Sequence, residues 1–210
     1  MTRGAILYLR TDIWDEELKA GGSVAHTLGV IQGFHELGFK LVCASSCLDS
    51  VLKKSPLQKI VRLSNPRWLK PLRWKLNCLF STFFFFFQAR KLCKKYPVSC
   101  IYQRYSLLNM TGLLLSWWYH KKLILEYNGS EVWTAYQWVE KEKFTFLKNL
   151  MYVIERFTLK RADSMVVVSR CLKGELIEWG VEAEKILEVP NGVDTEIFNS
   201  ETLNREICYE

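Results

Sequence analysis

With 210 residues, 49% of them hydrophobic, the chain can bury one full core and at most the edge of a second domain. No low-complexity stretch interrupts it, and Met1-Thr2-Arg3-Gly4 lacks the apolar core of a secretory leader, so neither a disordered tail nor export is expected. The formal charge of +7 is unevenly placed: between Asp49 and Glu126 every charged residue is Lys or Arg, which gives the first half a positive field. Seven cysteines without the paired two-residue spacing of a zinc or redox site read as buried free thiols in a reducing cytoplasm.

The apolar run Ala5-Ile6-Leu7-Tyr8-Leu9 predicts a first strand. A polar loop separates it from Gly21-Gly22-Ser23-Val24-Ala25-His26. From there Val24, Leu28, Ile31, Gln32 and His35 recur at helical spacing, and Gly38 closes the helix. Two glycines before a helix start either leave the first-turn N–H groups open to an anion or simply shape a tight turn. Lys40-Leu41-Val42-Cys43-Ala44-Ser45 completes a strand, helix, strand unit. Beyond it Pro56, Pro66 and Pro71 break the pattern around a short third strand, Lys59-Ile60-Val61-Arg62-Leu63. Residues 76–95, with consecutive phenylalanines from Phe83 to Phe87, read as a helix packed on a sheet. Their uncharged part, 76–89, falls short of the about 20 apolar residues that a membrane span needs. Lys94 and Lys95 suit the negative end of that helix, and Pro97 stops it.

Val98-Ser99-Cys100-Ile101-Tyr102 and Lys122-Leu123-Ile124-Leu125-Glu126-Tyr127 predict the fourth and fifth strands, with a helix through Leu115-Ser116-Trp117-Trp118 between them. A polar, aromatic-rich stretch over residues 133–143 precedes a helix over 144–161, which shows Phe144, Leu147, Met151, Ile154 and Thr158 on one face. Met165-Val166-Val167-Val168 is apolar enough for a strand covered on both sides. Ser169 can cap a helix over 171–179 that Gly180 ends. A last short strand, residues 186–189, leads into Pro190-Asn191-Gly192-Val193-Asp194. The alternation predicts an α/β fold with a doubly wound, Rossmann-like parallel sheet. Ligands of such sheets bind beyond the carboxyl ends of the strands, so residues 11–22, 103–106 and 128–131 should share one rim with Ser169 and Arg170. Arg104 stands on that rim, either gripping a phosphate or carboxylate with its guanidinium or serving as a surface arginine.

Three stretches in order carry a resemblance. They are the Gly21-Gly22-Ser23-Val24-Ala25-His26 turn with Gly38 behind it, the segment Ala162-Asp163-Ser164-Met165-Val166-Val167-Val168-Ser169, and Val189-Pro190-Asn191-Gly192-Val193-Asp194 followed by Phe198. Together they resemble the N-terminal domain of a GT-B-fold glycosyltransferase of family 4. The resemblance implies a two-domain enzyme that moves a sugar from a nucleotide-sugar donor to a glycan or lipid-linked acceptor, with retention of configuration. It implies no cofactor, no metal and no dedicated general base; the nucleotide sugar is a co-substrate held largely by a second domain. Residues 1–190 would be the acceptor-binding domain and 191–210 the linker and start of the missing donor half, leaving the chain an inactive fragment. Gly21 and Gly22 match the family's cleft-facing loop, and His26 matches a position often polar in the family. Many members carry a histidine after the fifth strand; here Asn128 and Glu131 stand in that region as substrate-binding candidates.

Arg67, Lys70, Arg73 and Lys75 interleave with Trp68 and Trp74, the pattern either of a surface resting on anionic lipid or of a solvated basic face with inward tryptophans. The expected location is cytoplasmic, with the inner face of the membrane as a peripheral site. A nicotinamide-binding domain would need G-x-G-x-x-G straight after the first strand, which is absent. A basic nucleic-acid-binding module would account for the charge, yet no recognised motif accompanies it, and no nucleic-acid partner is expected.

Overall fold

The computed structural model describes residues 4–12, 22–47, 52–69, 74–138 and 145–192. Among them β1 (Ala5–Arg10), β2 (Leu41–Ser45), β3 (Lys59–Arg62), β4 (Val98–Arg104), β5 (Lys122–Tyr127), β6 (Ser164–Val167) and β7 (Ile186–Glu188) form one sheet in the order β3-β2-β1-β4-β5-β6-β7, with every pairing parallel. The chain winds outward from β1 to β3, crosses back, and continues from β4 to β7. The direction of winding therefore reverses between β1 and β4, the crevice where doubly wound sheets receive ligands. The doubly wound, Rossmann-like reading holds.

Two layers of helix cover the sheet. On one face α1 (Gly22–Glu36) lays Val30 and Phe34 over Ile6, Tyr8, Cys43 and Tyr102. On the other, α2 (Trp74–Lys95), α3 (Thr111–Tyr119), α5 (Thr145–Lys160) and α6 (Arg170–Glu178) bury Phe85, Leu113, Leu159 and Leu176 against Leu7, Ile101, Leu125 and Val167. The odd and even residues of each strand thus serve different cores, which is why the strands read as continuous apolar runs. Gln103 ties α3 to the sheet: its Oε1 accepts the Gly112 N–H at 2.7 Å, and a Cβ on Gly112 would stand 2.2 Å from that oxygen.

The stretch read as polar and aromatic-rich from residue 133 instead begins with a helix, α4 (Glu131–Trp138). Its start is capped by Ser130, whose Oγ accepts the Trp133 N–H at 3.1 Å, while Val132 and Ala135 bury against Leu107, Leu108 and Met151. Two apolar anchors three residues apart suffice once a tertiary surface meets them. Ser169 caps α6 as expected, its Oγ accepting the Leu172 N–H at 3.3 Å.

Candidate functional site

Three charged residues stand in register at or next to the ends of neighbouring strands: Arg10 of β1 faces Arg104 of β4, which faces Glu126 of β5. All three project to the α1 side, at the carboxyl edge and astride the reversal in strand order. Glu126 is 0% exposed. Its Oε1 accepts Arg104 Nη1 at 3.0 Å and Asn128 Nδ2 at 2.7 Å, and its Oε2 accepts the Tyr102 hydroxyl at 3.0 Å. His26 Nε2, from α1, stands 3.0 Å from the same Oε1, within ion-pairing distance though outside good hydrogen-bond geometry. Burial by itself would push this carboxyl up; His26 first, then Arg104 and Asn128, more than offset that and hold it below the ordinary glutamate range.

Arg10 is equally buried. Its guanidinium donates to Asp12 Oδ2 at 2.8 Å, Thr27 Oγ1 at 3.1 Å and Ser23 Oγ at 2.7 Å, so it fastens the first turns of α1 to the end of β1. Thr11 and Ser106 share a hydrogen bond of 2.6 Å that closes the base of the crevice between β1 and β4. The result is a hydrogen-bonded floor beneath the first turn of α1, an arrangement suited to anions and hydroxyls. Among the described residues no cluster of three or more His, Cys, Asp or Glu could hold a metal ion. A shallow hollow lined by His35, Lys40, Pro56 and Gln58 opens at the opposite, amino-terminal edge of the sheet.

Residues 20–197 match the profile of Glycosyltransferase Family 4. The chain belongs to that family. Its fold is that of a glycosyltransferase from Rickettsia africae (TM-score 0.60, 18% identity, covering 99% of this chain and 48% of that one). It is also that of sucrose-phosphate synthase from Thermosynechococcus elongatus (TM-score 0.65, 18% identity, 93% and 50%). Anabaena HepE, solved with UDP-glucose, is similar as well (TM-score 0.57, 13% identity, 93% and 46%). The chain spans about half the length of these solved relatives. No curated protein matches it.

In this family 4 chain the structure gathers His26, Arg104 and Asn128 around Glu126, and Gly22 opens the helix that carries His26. Among the described residues a Cβ on Gly22 would meet nothing within 4 Å. Gly21 lies outside the described residues. Glu131 sits apart from the cluster: it begins α4, and its backbone N–H donates to Glu155 Oε1 at 3.0 Å, while the Ser130 hydroxyl donates to Glu155 Oε2 at 2.7 Å. Burial pushes the Glu155 carboxyl up to about 7 against the pull of Ser130 and the α4 amides. Of the residues read as membrane contacts, Arg67 and Trp68 lie in a short 3₁₀ turn, with the Trp68 ring 63% exposed and edge-on to Phe84 at 5.9 Å. Trp74 and Lys75 open α2, and Lys70 and Arg73 lie outside the described residues.

Sequence reasoning missed Glu126, Arg10 and Tyr102. A signal was present: Arg10 and Glu126 each follow an apolar run within their strand, and a charge there must find a partner across the sheet.

Proposed function

We propose that this chain is the acceptor-side part of a glycosyltransferase that moves a sugar, with retention, from a nucleotide-sugar donor to a glycan or lipid-linked acceptor of the cell envelope. The observation that carries the reading is the Glu126-centred cluster at the reversal in strand order, next to the first turn of α1. Residues 1–190 form the acceptor domain and 191–210 lead into a donor domain. The UDP-glucose seen with the Anabaena relative supports a nucleotide-sugar donor.

Each group has a task. The first-turn N–H groups of α1 meet an anionic oxygen of donor or acceptor, and Gly22 keeps the approach open. Arg104, oriented by Glu126, supplies fixed positive charge. Asn128 commits its Nδ2 to Glu126, which directs Oδ1 toward an acceptor hydroxyl. Departure of the nucleoside diphosphate is assisted electrostatically rather than by a metal or a general base. The enzyme works in the cytoplasm, peripheral to the inner membrane face, with Arg67, Lys70, Arg73 and Lys75 near lipid head groups and Trp68 and Trp74 in the interface.

The test is transfer of labelled sugar from a panel of nucleotide sugars by the complete two-domain enzyme. Gly22→Val and Arg104→Ala should each lower kcat/KM at least tenfold. Unchanged kinetics in both variants would place the site elsewhere. A salt-dependent gel shift with mixed-sequence RNA or DNA, without any transfer, would favour a nucleic-acid module instead.

A further inference from the structure

Helices α2 and α5 are apolar on two sides. Their inner faces are buried in the sheet core, through Phe85 and Ala89 of α2 and Leu159 of α5. Their outer faces repeat one spacing: Leu76, Phe80, Phe83 and Phe87 on α2, and Phe146, Leu150, Val153 and Phe157 on α5, each stripe advancing by four, three and four residues. All eight are exposed, from 40% at Phe80 to 83% at Phe146. A helix apolar all round needs cover on every side, and the sheet supplies one side only. Between the stripes lies α3, where Trp117 and Trp118 are also exposed.

Ring contacts join these elements into one belt. The Phe86 ring meets Phe87 at 5.3 Å and Trp118 at 6.0 Å, and Trp117 meets Phe157 at 6.3 Å. Such a patch exceeds the scattered apolar residues of an ordinary surface.

Charge decides the occupant. Neither α2 nor α3 contains an acidic residue, and the one acid of α5, Glu155, is buried. Arg90 lies over the Phe87 ring at 5.5 Å and Arg161 over the Phe157 ring at 5.2 Å, so each end of the belt carries a cation. The helices run against the parallel strands, and their carboxyl ends gather Lys91, Lys94, Lys95 and Lys160 along one edge. A second copy packed with its helices parallel would set these cations against cations. A bilayer of anionic lipid offers hydrocarbon to the rings and phosphate to the rim.

We propose that the outer face of α2, α3 and α5 rests on an anionic phospholipid surface, with Phe83, Phe87 and Trp118 entering the interface and Lys91 and Lys94 meeting lipid phosphates. This deepens the peripheral-membrane part of the proposed function on a different, larger surface than Arg67–Leu69. The amino-terminal ends of α2 and α5 lie at the carboxyl edge of the sheet, on the face opposite the Glu126 cluster.

The test is flotation of the chain with vesicles of phosphatidylcholine alone or mixed with phosphatidylglycerol. Binding should be at least tenfold stronger to the mixed vesicles and should weaken with salt. Lys91→Gln with Lys94→Gln should lower the partition coefficient about thirtyfold. Phe83→Ser with Trp118→Ser should abolish binding while the circular dichroism spectrum is kept. Equal binding to both vesicle types, or binding that survives both double variants, overturns the proposal. A dimer in sedimentation that is lost with Phe83→Ser would assign the face to a second copy and also overturn it. The readout is lipid binding, so vesicle association of the chain with no transfer by the complete two-domain enzyme keeps this inference and sinks the glycosyltransferase reading, and transfer by that enzyme without association does the reverse.

Discussion

Glu126 shows how one buried charge can organise a site. Its carboxylate collects Tyr102 and Arg104 from β4, Asn128 from just past β5 and His26 from α1. Breaking such a set leaves uncompensated charge, so Glu126→Ala should cost about 3 kcal/mol or more in urea denaturation at neutral pH. Its folded pKa is depressed. Its contribution is therefore complete above the ordinary glutamate pKa and is lost as pH falls through the lower folded value; Glu126→Gln should flatten that acid limb. The neighbouring substitutions divide cleanly. Gly22→Val adds a side chain that meets nothing within 4 Å among the described residues and should leave the melting temperature nearly unchanged while lowering kcat/KM. Arg104→Ala removes a partner of the buried carboxylate and should lower both.

The packing of α4 on α5 rests on a carboxyl that titrates near neutrality. Glu155 accepts from Ser130 and from the Glu131 amide, yet burial raises its pKa from 4.5 to about 7. Between those values the folded chain holds a proton that the unfolded chain has released. Stability must therefore fall as pH rises through this window, by up to roughly 3 kcal/mol once it is passed. Glu155→Gln should remove this slope and exceed the parent in melting temperature above pH 8, measured by thermal denaturation across the range. A parent curve that rises with pH between 5 and 8, unchanged in the variant, would show that Glu155 is ionised in the folded state.

At the scale of the molecule, the sheet is continuous from β3 to β7 and its helices cover both faces, so the domain should fold by itself. The chain corresponds to about half of its solved relatives. Under the proposed division of labour the purified chain should bind UDP-glucose weakly or undetectably by calorimetry and transfer no sugar. Turnover by the chain itself with any nucleotide sugar would refute that division.

The order of strands and helices was legible because each element announces itself locally: apolar runs such as Ala5–Arg10, helical spacing from Val24 onward, and punctuation by Gly38, Pro97 and Gly180. Gly22, His26, Arg104 and Asn128 could be named as rim residues for the same reason, since a strand's carboxyl end is a local property. What no local pattern carried was who meets whom. Arg10, Arg104 and Glu126 lie 94 and 22 residues apart in succession and become neighbours only through the parallel register of β1, β4 and β5. The α4 helix, too weak in spacing to be read, is held by its Ser130 cap and by apolar contacts with Leu107, Leu108 and Met151. The outer stripes of α2 and α5 look like core in sequence, because hydrophobicity records that a side chain avoids water and not which surface covers it; only the packed sheet shows that one side is left to something else.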